Sequence, residues 1–87
     1  MNIWEVKILK IIASNDGTAS LRHIYCELPK HVNLTNKHNE IAFDAPRYHH
    51  QTRAHIDDLM DSGDVIRIGR GMYSISSKGQ LRIKEGT

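Results

Sequence analysis

Val65-Ile66-Arg67-Ile68-Gly69-Arg70-Gly71-Met72-Tyr73-Ser74-Ile75-Ser76 holds two short apolar runs around a Gly-Arg-Gly centre. Asp64 to Ile68 and Met72 to Ser76 each alternate, which is the period of a half-buried strand. The glycines permit the positive φ that a tight reversal requires. A two-stranded hairpin is expected, with Arg70 at its tip. Any solvated turn needs a polar tip, so the arginine carries meaning only through its surroundings. Those are unusual: Val65 to Lys84 holds five lysines or arginines and no acid, while Glu40 to Asp64 holds six acids against Arg47 and Arg53. The net charge of +2 is slight, but the positive charge is segregated toward the C-terminal third.

Three helices are expected before the hairpin. Trp4, Ile8, Leu9, Ile11 and Ile12 recur at helical spacing, and Asn15-Asp16-Gly17 closes that segment. Ile3 and Val6 fall on its other side, where the tail residues Leu81 and Ile83, or a second molecule, would cover them. Gly17-Thr18-Ala19 reads as a short extended piece. Ser20 then caps a second helix whose stripe is Leu21, Ile24, Tyr25 and Leu28, running to about Pro29. From Lys30 to Pro46 the period is lost, and Asn33, Thr35, Asn36 and Asn39 suit a long connection with one helical turn after Thr35. Pro46 suits the first turn of a third helix. Its residues Tyr48, Thr52, Ile56, Leu59 and Met60 share a sector about 120° wide, and Ser62-Gly63 ends it.

Eighty-seven residues suffice for one domain, 1–87, with a modest core, and the 25 % charged and 39 % apolar fractions are those of an ordinary globule. No apolar run approaches the roughly 18 residues that cross a bilayer, and the N-terminus lacks the layout of a signal peptide. A cytoplasmic protein without membrane contact is expected. The single Cys26 cannot form an internal disulfide and reads as a half-buried free thiol.

The expected class is α+β: a winged helix-turn-helix of three helices and a small antiparallel sheet with a C-terminal wing hairpin. Ser20-Leu21-Arg22-His23-Ile24, the Leu34-Thr35 pair, and Arg53-Ala54-His55-Ile56-Asp57-Asp58-Leu59-Met60-Asp61-Ser62-Gly63 followed by Val65-Ile66 resemble the N-terminal winged helix module of Mrr-like restriction endonucleases. Arg70-Gly71-Met72-Tyr73-Ser74-Ile75 and Ser77-Lys78-Gly79 are similar to that module's wing and exit. The resemblance covers roughly residues 4 to 80. It implies binding of double-stranded DNA by a prokaryotic or phage protein, as a regulator or a restriction-related specificity module. No nuclease half follows within these residues, so cutting is not expected.

The residues of the third helix lead to the same expectation independently. With Ile56, Leu59 and Met60 inward, its outward positions are Arg47, His50, Gln51 and Ala54 in the first half and Asp57, Asp58 and Asp61 in the second. The first half of a recognition helix is the half that meets base edges. Gln51 could pair with adenine, Arg47 or Arg53 with guanine or phosphate, and Ala54 could touch a thymine methyl. Arg70, supported by Arg67 and with Lys78 nearby, would reach the flanking backbone or minor groove. Histidines on such a helix gain charge below about pH 6.5, which would strengthen binding in acid.

Three aspartates near a helix C-terminus oppose its dipole by about 0.3 to 1 kcal/mol each, so they call for a basic neighbour or a partner. A protein interaction module, of small antitoxin or inhibitor type, would explain them equally well. A homodimer through the first helix and the C-terminal tail would cover Ile3 and Val6. His49, His50 and His55, or His23 with Cys26, approach ligand spacings, but paired zinc motifs are missing, so no metal and no cofactor are expected. With no P-loop and no nucleophile beside a base, the chain is not expected to be an enzyme.

Overall fold

The computed structural model describes residues 3–32, 41–42 and 45–86, with side chains over 3–32 and 48–84. The elements in chain order are α1 (Ile3–Ser14), β1 (Thr18–Ser20), α2 (Leu21–His31), β2 (Ile41–Ala42), β3 (Ala45–Pro46), α3 (Arg47–Asp61), β4 (Val65–Gly69), β5 (Met72–Ile75) and α4 (Ser77–Gly86). The class is α+β, with four helices among the described residues where three were expected.

The helical stripes of the sequence become the core. Ile8, Leu9, Ile11 and Ile12 of α1 are buried against Ile24 and Leu28 of α2, Ile56 and Leu59 of α3, and Ala19, Val65 and Ile75 of the sheet. The Asn-Asp-Gly exit of α1 takes the left-handed geometry its residues tolerate, with φ of 59° at Asp16 and 82° at Gly17, and the Gly17 N–H reaches the Ile12 carbonyl at 3.1 Å. Ser20 caps α2, its Oγ accepting from the His23 N–H at 3.0 Å.

Pro29 does not end α2, which continues to His31. Proline has no N–H, so the Tyr25 carbonyl four residues back loses its helical donor. The Tyr48 hydroxyl of α3 donates to it instead, at 3.4 Å. Cys26 is exposed rather than half-buried. Two residues of helix turn it about 200° from Ile24, away from the core.

The helical turn expected after Thr35 lies outside the described residues. What the aperiodic connection does contain is a two-residue antiparallel pairing, Ile41 with Pro46 and Ala42 with Ala45. Pro46 therefore precedes α3 instead of opening it.

The larger sheet is antiparallel in the order β1-β5-β4. Arg67 stands across from Tyr73, and Gly69 across from Met72, with the register shifting at Ile68. That bulge absorbs one residue, so Gly71 alone supplies the positive φ, 65°, and Gly69 serves as a strand end. Beyond the last rung, the Leu21 N–H donates to the Gly71 carbonyl at 2.8 Å, tying the hairpin tip to the start of α2.

On α3, Thr52, Ile56 and Leu59 are buried and Tyr48 and Met60 half-buried, as the apolar sector predicts. Gly63 (φ 85°) finishes the helix: its N–H bonds the Met60 carbonyl and the Asp64 N–H bonds the Leu59 carbonyl. The unexpected α4 begins at a second serine cap, Ser76, whose Oγ accepts from the Gly79 N–H at 3.0 Å. Gly79 inside α4 has no room for a side chain, because a Cβ there would collide with the Asp64 carbonyl oxygen. α4 packs on α1 through Ile83, which is half-buried against the core, while Leu81 and Ile3 remain 55 % and 65 % exposed. The tail thus covers α1 only in part. Among the described residues no helix is long and apolar enough to cross a membrane.

Candidate functional site

The outer face of α3 is built by subtraction: Thr52, Ile56 and Leu59 take the core side, Tyr48, His49, His55 and Met60 are half-buried at its edges, and the other described positions face water. His50, Gln51, Arg53 and Ala54 are exposed in its first half, Asp57, Asp58 and Asp61 in its second. Arg47 is the first residue of α3, and its side chain lies outside the described residues. The helix is electrically divided, and among the described residues none of the three aspartates pairs with a lysine or arginine.

The dipole penalty is met at the helix end instead. Lys78 donates from Nζ to the Ser62 carbonyl at 2.5 Å, and its stem lies against Gly63. This places Lys78 about 18 Å along the helix axis from His50. It does not join the other predicted residues.

Arg53 lies on one edge of α3, beside an aromatic cluster that links α2 and α3. The ring of His49 stacks on Tyr25 of α2, with centroids 3.9 Å apart and planes 4° from parallel, and meets Tyr48 edge-on at 4.4 Å. Burial pushes the Tyr25 phenol upward in pKa; the nearby Arg53 guanidinium opposes this, while Tyr73 and Tyr48 reinforce it. Tyr25 thus stands within electrostatic reach of Arg53 on α3 and Tyr73 on β5. Tyr73 is the cross-strand partner of Arg67. His49 is pushed downward by burial, then by His50, and Tyr48 upward by burial, then by Cys26.

The hairpin completes this side. Arg67 is exposed and its Nε donates to the Gly69 carbonyl at 3.3 Å; Arg70 is exposed at the tip. Since the tip is bonded to Leu21, the exposed Arg22 follows immediately beside it. Sequence reasoning did not single out Arg22 as a contact, although a signal was present: a cation in the first turn of a helix opposes the dipole and needs another reason to be there. Among the described residues Arg22, Arg53, Arg67 and Arg70 form no ion pair with a carboxylate.

The histidines whose spacing approached a ligand set do not converge. His49 packs on Tyr25, while His55 lies on the opposite edge of α3, with Nδ1 3.0 Å from Glu5 Oε2 of α1. A groove lined by Ile11, Ser14, Asn15, His23, Glu27 and His31 opens between α1 and α2, on the side of α2 away from Tyr25. Comparison with known protein families, curated proteins and solved structures found no match.

Proposed function

We propose that this chain is a winged helix reader of double-stranded DNA, with α3 in the major groove and the β4–β5 hairpin as the wing. The observation that carries the reading is that α2 holds both elements: Tyr25 stacks on His49 of α3 with centroids 3.9 Å apart, and the Leu21 N–H bonds the Gly71 carbonyl of the hairpin tip at 2.8 Å. Arg22 of α2, Arg53 of α3 and Arg67 and Arg70 of the hairpin, which pair with no carboxylate among the described residues, lie on these linked elements. In this pose His50, Gln51 and Ala54 meet base edges, and the arginines meet phosphates or the minor groove. Lys78 takes no part and serves to hold the end of α3. The resemblance to the Mrr-like module agrees with a regulator or a restriction-related specificity part.

The three aspartates, which pair with no lysine or arginine among the described residues, favour a second reading, a module that docks a basic protein partner. Binding to random duplex measured by fluorescence anisotropy separates the two. Four phosphate contacts give a logarithmic salt slope of about −3.6, hence a roughly 100-fold loss of affinity from 50 to 200 mM salt. Arg70→Ala lowers that slope by about 1, Gln51→Ala narrows base discrimination by about 1 to 3 kcal/mol, and Lys78→Ala changes stability but not affinity. No binding at 50 mM salt, or binding indifferent to salt, sinks the DNA reading.

A further inference from the structure

At the seam between α1 and the edge of α3 opposite Arg53, Glu5, His55 and Asp58 bring one donor atom each within 4.8 Å of one another. We propose that these three residues form a site for a first-row divalent metal ion of the zinc class, a property separate from DNA recognition.

The donor set argues for that class. An imidazole nitrogen with two carboxylates suits zinc and its neighbours, whereas magnesium and calcium favour all-oxygen shells. Zinc bonds of about 2.0 to 2.2 Å place tetrahedral donors about 3.4 Å apart, so closing the site takes movements on the order of 1 Å. Asp58 is exposed and free to make that movement. His55 is held in place: its Nδ1 is 3.0 Å from Glu5 Oε2, and its ring lies 5.9 Å from that of Trp4. On binding, a ring nitrogen of His55 and an oxygen of Glu5 exchange their mutual contact for bonds to the metal. Three protein donors leave a fourth position for water.

The charge balance points the same way. Among the described residues, neither Glu5 nor Asp58 is paired with a lysine or arginine, so two carboxylates flank a single imidazole. A dication answers that charge directly. His55 and Asp58 are one helical turn apart, but Glu5 is 50 residues away from His55, so sequence spacing cannot collect the three.

Zinc titration of the whole chain by calorimetry, with thermal unfolding alongside and no DNA present, tests the site independently of the proposed function. The expected result is one zinc per chain and, at about 100 times the dissociation constant, a rise in unfolding midpoint on the order of 10 °C. Asp58→Asn, which alters an exposed side chain and keeps the fold by circular dichroism, should weaken zinc binding at least about tenfold. His55→Gln should do the same. Absence of zinc-dependent heat and midpoint shift in the parent overturns the proposal. So does an unchanged affinity in Asp58→Asn.

Discussion

Arg70 and Arg82 belong to the same acid-free run, yet the fold uses them in opposite ways. Arg70 sits at the hairpin tip beside Gly71, where an added Cβ would meet nothing within 4 Å. Arg82 of α4 is 35 % exposed and donates at 2.6 Å to Asp64, whose side chain is fully buried and also accepts from Ser62 Oγ at 2.7 Å. The neighbouring glycine, Gly79, has no room for a Cβ at all. One end of the run is open and cationic; the other is packed and neutralised. Counting basic residues along a sequence therefore overstates the charge a surface can offer a partner, because burial and pairing remove some of them.

The largest effects should appear at the packed end. Gly79→Ala forces a methyl against the Asp64 carbonyl and is expected to cost about 3 kcal/mol in urea denaturation, whereas Gly71→Ala carries only the positive-φ penalty of about 1 kcal/mol. Equal losses would erase the contrast between the two corners. Next, Arg82→Ala leaves Asp64 buried without its cation. The cost should be about 2 to 3 kcal/mol, below the usual range for a broken buried pair because Arg82 is partly solvated. Arg70→Ala should stay within about 0.5 kcal/mol in the same assay. A costly Arg70→Ala would mean that the tip is structural.

The smallest effect is expected from His49, at the aromatic junction between the open side and the core. Its folded pKa is depressed by burial, so the unfolded chain takes up the proton first as pH falls. Its contribution is fully present above about pH 6.5, the unfolded value, and is lost as pH falls below this toward the folded value. His49→Phe keeps a ring against Tyr25 and should flatten stability between pH 7 and pH 5 relative to the parent. An unchanged slope in His49→Phe would assign the pH dependence elsewhere.

Local regularities were readable because they follow from chain geometry. The stripe Ile8, Leu9, Ile11 and Ile12, the cap at Ser20, the divided face of α3 and the glycine stop at Gly63 all obey a helical period or a single-residue φ preference. What escaped notice were features that depend on distant residues. The C-terminal segment reads as a tail, and the glycine that lets it form α4 answers to the Asp64 carbonyl just before β4, 15 residues back in the chain. Pro29 looked like a helix end because the substitute donor, Tyr48, is 23 residues away from Tyr25. Arg22 gained its place beside the hairpin only through the bond from Leu21 to Gly71.

By itself, the sequence determined where α1, α3 and the β4–β5 hairpin form and where α2 begins, which faces are apolar and that the first half of α3 carries no acid, since these depend on spacing of a few residues along one backbone. Tertiary structure alone decided which cations stay open, which carboxylate is buried with an arginine, and which donors from α1 and α3 come together. Those outcomes are set by distances between residues far apart in the chain, and such distances exist only once the core has closed.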